Sequence, residues 1–216
     1  PLSLSDARLD TILAGLRAIP HVEVIRVGTR NPVTLPQRIT AEFTAMLRRH
    51  RPIYLHTHFN HPAELGDDAH EALGRLLDAG CVLGNQMVLL RGVNDDAEVV
   101  MRLNRELLRA GCRPYYMLQC DMAEGITHFR TPIATGLEIL DHLRGRIGGM
   151  GIPDFVVDLP GGGGKVELTP DPRVPKLVTG QPEFTTPIWD YLDQRVTADH
   201  PPGGHAEQLR VAELHA

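Results

Sequence analysis

Three histidines lie close together in the segment His56-Thr57-His58-Phe59-Asn60-His61. Residues two apart on an extended strand point to the same face, so His56 and His58 are spaced as two ligands of one metal ion would be. Asp158, at the end of a later apolar segment, would supply a third ligand for a metal-dependent hydrolase. The same spacing is typical of histidines that form a hydrogen-bonding platform for a ligand, and both interpretations stay open at this point.

A second segment, Pro160-Gly161-Gly162-Gly163-Gly164-Lys165, combines four glycines with one lysine. Glycines let backbone amides approach an anion or a ring closely, and they place Lys165 just beyond a predicted strand. A lysine there can form an imine with a carbonyl substrate or pyridoxal phosphate when burial lowers its pKa. The alternative is a flexible turn with an exposed lysine. A P-loop is a poor match, because Val166 stands where Ser or Thr is required.

Two acidic residues, Asp121 and Asp158, each follow an apolar segment. Two carboxylates in one pocket repel each other unless a cation lies between them. The pair therefore predicts a site for a substrate ammonium group or a metal ion. The alternative is that each carboxylate caps the loop or helix that follows it.

These residues need a scaffold, and the sequence predicts one in which helices alternate with short strands about every 30 residues, the length of a βα unit. The predicted helices cover Ser5–Ala18, Pro36–His50, Asp67–Ala79, Asp95–Ala110 and Pro132–Arg146. The predicted strands cover Val22–Gly28, Ile53–Thr57, Val82–Leu90, Pro114–Gln119 and Phe155–Asp158. This alternation favours an α/β fold with a parallel sheet, first a partial (β/α) barrel and second an open doubly wound sheet.

Composition narrows the function classes. The chain has 216 residues, of which 42% are hydrophobic, and no segment approaches the ~20 consecutive apolar residues that span a bilayer. The net charge is −5 without a run of Lys or Arg, which disfavours nucleic acid as a partner and favours a small-molecule ligand. The three cysteines match neither a CxxC motif nor a disulfide framework, and they predict a cytoplasmic protein.

Taken in chain order, ten short blocks resemble the lysine 2,3-aminomutase family. The resemblance covers about residues 1–170, and an ordered set is far more specific than any single motif. The blocks are PLSLSD at 1–6, IRVGTR at 25–30, LPQRI at 35–39, HTHFNHP at 56–62, GNQ at 84–86, LRGVND at 90–95, RPYY at 113–116, QCD at 119–121, HFRTP at 128–132 and DLPGGGGK at 158–165.

This resemblance implies a radical S-adenosylmethionine enzyme that also uses pyridoxal phosphate (PLP) and interconverts L-lysine and L-β-lysine. In that family a [4Fe-4S] cluster cleaves S-adenosylmethionine to a 5'-deoxyadenosyl radical, and the amino group then migrates. The fold implied is a partial (β/α) barrel of the radical S-adenosylmethionine type. A homo-oligomer is expected for the full-length protein, with no nucleic acid or membrane partner.

Carried over to this chain, the lysine that binds PLP falls on Lys165, and the two acids that hold the distal ammonium of substrate lysine fall on Asp121 and Asp158. Relatives that act on glutamate do not keep both acids, so the resemblance favours lysine. The contacts to S-adenosylmethionine fall on His58 and Gln86. The histidine segment is then interpreted as a cofactor platform, with no metal ligand in this chain.

Departures from the family pattern limit these expectations. The CxxxCxxC cluster motif is absent and is expected upstream of Pro1, so the fragment by itself is expected to be inactive. A structural zinc site is expected to be missing, because Asp96 stands where some members have cysteine. Leu118 replaces a common aromatic residue. Residues 1–169 are predicted to form the barrel portion, 170–193 an irregular Pro-rich extension and 194–216 a mobile tail. The alternatives to the aminomutase are the hydrolase and a non-catalytic PLP-binding homologue.

Overall fold

The computed structural model describes residues 1–159 and 164–168 and, for the backbone alone, residues 188–189 and 195–196. The chain divides into two units. The first contains Pro1–Met87 and Met101–Tyr115, and the second contains Val88–Val100 and Tyr116–Ala216. The predicted extension and tail at 170–193 and 194–216 lie almost entirely outside the described residues.

Helices and strands alternate along the chain. The α-helices are α1 (Asp6–Arg17), α2 (Asn31–Thr34), α3 (Ala41–Arg48), α4 (Asp67–Asp78), α5 (Ala97–Arg109) and α6 (Ile133–Leu143). The strands are β1 (Arg26–Gly28), β2 (Ile53–Thr57), β3 (Cys81–Leu89), β4 (Arg113–Gln119), β5 (Asp154–Leu159), β6 (Gly164–Glu167), β7 (Ile188–Trp189) and β8 (Arg195–Val196).

Local signals explain where several elements begin and end. Ser5 caps α1 by accepting a hydrogen bond from the Arg8 backbone N–H. Gly80 and Gly111 follow α4 and α5 with φ angles of 80° and 68°, which glycine adopts without strain. A capping hydroxyl and two glycines in the left-handed conformation therefore fix these helix ends.

The helix predicted over Pro36–His50 is wrong in its first part. A 3₁₀ helix covers Pro36–Arg38, and Ile39 then adopts a non-helical conformation with φ −86° and ψ 73°. The Thr40 hydroxyl accepts from the Phe43 N–H at 3.1 Å, which fixes the start of α3. A good N-cap residue inside an apolar pattern thus divides it into two elements.

In the first unit, β1, β2 and β3 pair in parallel. His56 lies opposite Gly84, and Thr57 lies opposite Asn85. Strand β2 alternates buried Ile53 and Leu55 with more exposed residues, which places its apolar side chains in the core. The register therefore puts His58 and Gln86, the next residues along, at the same level of the sheet.

In the second unit, β4 and β5 pair in parallel, and β5 pairs with β6 in antiparallel orientation. Asp158 lies directly opposite Lys165 in that antiparallel pair. The backbone of β7 pairs with that of β8. Phe155 of β5 is fully buried and contacts α6 where Gly136 leaves room for its ring.

The strands β1 to β6 follow chain order without a reversal, and helices connect the parallel strands. A doubly wound sheet requires such a reversal, so the order confirms the α/β class and the arrangement of a partial (β/α) barrel. Two details of the prediction are wrong. The sheet is not wholly parallel, because β6 is antiparallel, and Lys165 lies within β6 and not in a loop beyond a strand. No helix among the described residues is long and apolar enough to span a bilayer.

Candidate functional site

The loop after β2 is held rigidly by side chains that bond to its backbone. The buried Asn85 amide accepts from the Phe59 N–H at 2.7 Å and donates to the Phe59 carbonyl at 2.9 Å. Glu64 accepts from the N–H groups of Asn60 and His61 and so closes a capping box. These bonds fix the backbone on the carboxyl side of His58.

His56 is packed against the neighbouring strands and bonded to Gln86. Its Nδ1 lies 2.8 Å from the Gln86 side-chain nitrogen, and its ring lies 4.8 Å from the Tyr115 ring between centroids. A Cβ atom added at Gly84 would come within 3.2 Å of His56 Cδ2 and 3.3 Å of Nε2. Glycine at position 84 is therefore what allows the imidazole to cross β3 and reach Gln86.

Both histidines favour the neutral form. Burial lowers the pKa of His56 below its ordinary value of 6.5, and the positive charges of Arg26 and His58 act in the same direction. Burial and Arg30 lower the pKa of His58, while a hydrogen bond with the Gln86 backbone raises it. A neutral His56 accepts at Nδ1 from the Gln86 amide nitrogen, which leaves the Gln86 amide oxygen to accept from a donor on a ligand.

In the first unit, His56 and His58 thus both bond to Gln86. The metal interpretation has no support in this arrangement. Over residues 1–159 and 164–168, no group of three His, Cys, Asp or Glu side chains is placed to hold a metal ion. The arrangement of His56, His58 and Gln86 in the first unit fits a hydrogen-bonding platform.

Lys165 and Asp158 form an ion pair across β5 and β6 in the second unit. The Lys165 Nζ lies 2.5 Å from Asp158 Oδ1 and also contacts Oδ2. The Lys165 side chain is 40% exposed and that of Asp158 is 42% exposed. The Tyr116 ring lies 6.0 Å from the Nζ atom. A carboxylate with an alkylammonium against both oxygens is the contact that a distal substrate ammonium would make.

Asp121 lies in the exposed loop after β4, and no ion pair among the described residues includes it. The structure therefore brings Asp158 to Lys165, and among the described residues Asp121 forms an ion pair with neither of them. The glycines 161–163 lie outside the described residues. The ammonium clamp formed by both acids stays a prediction.

The residues present fit two of the three expected cofactors. The Lys165 side chain is 40% exposed and would suit PLP, and the Gln86 side-chain oxygen would suit a polar ligand such as S-adenosylmethionine. A [4Fe-4S] cluster does not fit, because it requires thiolates. Burial raises the pKa of Cys81 to about 11 and that of Cys112 to about 12. Cys120 is also a buried free thiol.

Sequence reasoning missed two contributors to these clusters. Gly84 was not a candidate, although a glycine inside a strand is a known signal of close approach by another group. Tyr116 was noted only as a possible contact, and its position near Lys165 depends on the pairing of β4 with β5, where Tyr116 lies opposite Asp154.

Fold and side chains together define an α/β protein whose parallel strands carry a polar ligand platform in one unit and a lysine–carboxylate pair in the other. A family model described as Lysine-2,3-aminomutase matches residues 140–176. The chain is 54% identical over 169 residues to the L-lysine 2,3-aminomutase of Fusobacterium nucleatum subsp. nucleatum, which covers 78% of this chain and 40% of that protein.

Two further relatives give the same picture. The identity is 52% over 170 residues to the L-lysine 2,3-aminomutase of Clostridium subterminale, covering 79% of this chain and 41% of that protein. The chain is 49% identical over 175 residues to the glutamate 2,3-aminomutase of Clostridioides difficile, and the match covers 81% of this chain and 42% of that protein. The resemblance to the lysine 2,3-aminomutase family is confirmed over most of this chain, which spans about 40% of the length of these relatives. Aminomutases are isomerases.

Proposed function

We propose that this chain is part of an L-lysine 2,3-aminomutase, which interconverts L-lysine and L-β-lysine by a PLP-assisted, 5'-deoxyadenosyl-radical 1,2-amino migration. Lys165 would carry PLP, Asp158 and Asp121 would hold the distal ammonium of the substrate, and His58 and Gln86 would contact S-adenosylmethionine. When bound, PLP and S-adenosylmethionine supply the amino-group and radical chemistry. The cluster would take its ligands from a part of the protein outside this chain.

The observation that carries the proposal is the ion pair of Asp158 with a primary alkylammonium. Lys165 Nζ is chemically equivalent to the distal ammonium of lysine, so its contact with Asp158 supports the assignment of Asp158 to the substrate ammonium. Both side chains are about 40% exposed, and ion pairs of that exposure contribute only about 0–1 kcal/mol. Exchange of the Lys165 ammonium for a substrate ammonium is therefore nearly neutral in energy.

The same pair discriminates between substrates by charge. Lysine presents an ammonium at its distal end, whereas glutamate presents a carboxylate that Asp158 repels. The similar identities to lysine and glutamate aminomutases, 54% and 49%, do not separate these two substrates. The acidic side chain at position 158 favours lysine, and Asp121 would strengthen this preference.

Gln86 has a defined role on the cofactor side. Its amide nitrogen donates to His56, which leaves its amide oxygen to accept a hydrogen bond from the ligand. Gly84 and Tyr115 hold the His56 ring in place and so keep the amide oriented. The loop fixed by Asn85 positions His58 beside the same residue.

The test uses the full-length protein and two carboxamide variants of β5. Asp158→Asn removes the charge that faces the ammonium, and the KM for lysine is expected to rise up to about fivefold, equivalent to the about 1 kcal/mol at the upper end for an exposed ion pair. Asp154→Asn, at the opposite end of the same strand, is the control and is expected to leave the KM unchanged. A KM that responds equally to both substitutions would contradict the assignment of Asp158.

The position of PLP is tested separately by borohydride reduction and peptide mapping. A pyridoxyl label on Lys165 is expected, and a label on any other lysine would contradict the assignment of PLP to Lys165. Labelled Lys165 without aminomutase activity in a cluster-loaded full-length protein would favour the non-catalytic PLP-binding homologue. We also place the protein in the cytoplasm, because its three cysteines are buried free thiols.

A further inference from the structure

A buried arginine in the second unit has no anionic partner among the residues that the structure describes. Arg130 exposes 7% of its surface, and its Nε atom is shielded from solvent and has no hydrogen-bond partner. No ion pair formed by the described part of the chain includes Arg130. An arginine stays protonated at every physiological pH, so its buried charge is strongly unfavourable unless an anion compensates it.

Two more buried polar atoms without partners belong to the same region. They are the side-chain oxygen of Gln119 and the hydroxyl of Thr131, residues that are 2% and 1% exposed. The Gln119 amide nitrogen donates to the Thr131 carbonyl at 2.6 Å, which joins the end of β4 to the segment before α6. Burial raises the pKa of Cys120, the neighbour of Gln119, and the charge of Asp121 raises it further, while the Arg130 guanidinium acts in the opposite direction. We call Gln119, Arg130 and Thr131 the Arg130 cluster.

The chemistry of the Arg130 cluster specifies its ligand. A guanidinium and a hydroxyl donate hydrogen bonds, and the natural acceptor for both is an oxygen with negative charge. The Gln119 oxygen accepts, which suits a protonated phosphate oxygen or the ammonium beside an amino-acid carboxylate. We propose that the Arg130 cluster is a binding site for an oxyanion, either a carboxylate or a phosphate.

Within residues 1–159 and 164–168, no carboxylate pairs with Arg130 in place of that ligand. Asp121 is the carboxylate closest to the cluster along β4 and its loop, and its charge raises the pKa of Cys120 while that of Arg130 lowers it. Asp121 is nevertheless exposed and unpaired with Arg130. The proposal uses none of the residues assigned to lysine, PLP or S-adenosylmethionine, so it stands or fails independently of the aminomutase assignment.

The experiment follows the thermal unfolding of the full-length protein in inorganic phosphate and, separately, in acetate, with ionic strength balanced by NaCl. At a concentration a hundred times the dissociation constant, a bound oxyanion raises the ratio of folded to unfolded protein about a hundredfold. The Tm is expected to rise, by less than the about 5–10 °C that this change gives in a domain of 150–250 residues, because the full-length protein is longer. A response to acetate alone assigns a carboxylate, and a response to phosphate alone assigns a phosphate.

Three variants separate binding from the general effect of salts. Arg130→Met is expected to lose the response and to unfold no more easily than the unsubstituted protein without oxyanion, since it removes an uncompensated buried charge. Arg130→Lys keeps the charge but loses the guanidinium fork, and its affinity is expected to fall at least about fivefold. Arg113→Met, at an exposed arginine of β4, is the control and is expected to respond like the unsubstituted protein.

A spectroscopic measurement covers the case in which a variant fails to fold. The Nε–H resonance of Arg130 is expected to shift on addition of phosphate or acetate to the unsubstituted protein. Equal stabilisation of the Arg130→Met and unsubstituted proteins would assign the effect to exclusion of salt from the protein surface and would overturn the proposal. A resonance that neither anion shifts, together with strong destabilisation by Arg130→Met, would mean that a carboxylate elsewhere in the full-length protein already compensates the charge.

Discussion

Replacing Gly136 by alanine tests how tightly α6 packs against the strand that carries Asp158. A Cβ atom at position 136 would lie 2.9 Å from Phe155 Cε2 and closer still to Cζ and Cε1 of the same ring. Real Cβ atoms do not approach carbon so closely, and Phe155 is fully buried on β5. The ring must therefore move into a close-packed core.

Two opposing effects determine the size of the change in stability. Overpacking a core costs about 1–3 kcal/mol, and contact with three ring atoms places this substitution near the upper value. Alanine in place of a helical glycine stabilises the helix by about 1 kcal/mol. We expect a net loss of about 2 kcal/mol in the free energy of unfolding, which lowers the Tm by about 4–8 °C in a domain of 150–250 residues.

The control is Gly74→Ala in α4, where no atom lies within 4 Å of the added Cβ. This variant gains the helix propensity without the clash, and we expect its Tm to rise by about 2–4 °C. Urea denaturation and thermal unfolding of both variants in the full-length protein measure the difference. If Gly136→Ala stabilises the protein as much as Gly74→Ala does, the packing argument at Phe155 is wrong.

Three more predictions follow from single contacts. Gln86→Glu keeps an acceptor oxygen toward the ligand and pairs with a protonated His56, so its affinity for S-adenosylmethionine is expected to stay within about threefold. Gln86→Leu removes the acceptor, and its affinity is expected to fall about tenfold. Equal losses of affinity in a binding titration would contradict the orientation of the Gln86 amide. The pKa of Asp10 is lowered below 3.8 chiefly by its hydrogen bond with His50. The contribution of Asp10 to stability is therefore complete above pH 3.8 and is lost as the pH falls through the lowered pKa. Asp10→Asn should flatten the dependence of the Tm on pH below about 4, and an unchanged slope would refute this reasoning. Burial raises the pKa of Cys112 to about 12, so iodoacetamide at pH 8 should label this thiol only after unfolding, and rapid labelling of the native protein would contradict its burial.

The periodic parts of the chain could be predicted from the sequence, because burial imposes a pattern on them. Strand β2 occupies the predicted range Ile53–Thr57, since its apolar residues alternate toward the core. Strand β6 gave no such signal, because its residues from Gly164 to Glu167 are largely exposed. It is held by pairing with β5, and pairing between strands is a property of tertiary structure.

The candidate site shows the same division. The residue types and the strand ends pointed to His58, Gln86, Asp158 and Lys165, but the sequence did not contain the contacts that organise them. The bond between His56 and Gln86 depends on the register that places His56 opposite Gly84. The spacing of two histidines alone equally suited a metal ion, and the packing around the His56 ring and its bond to Gln86 favour the platform.

The cross-strand position of Lys165 has a consequence for the order of events in the proposed reaction. Asp158 has one carboxylate, and Lys165 Nζ already contacts both of its oxygens. A substrate ammonium can take that place only when Lys165 has left it. If PLP were bound through the same nitrogen, that nitrogen would no longer be a free ammonium against Asp158, so loading of the lysine with cofactor would be coupled to opening of the ammonium site. Because the pair is about 40% exposed, water can solvate both groups during the exchange, and the exchange encounters no large energetic barrier from unpaired charge.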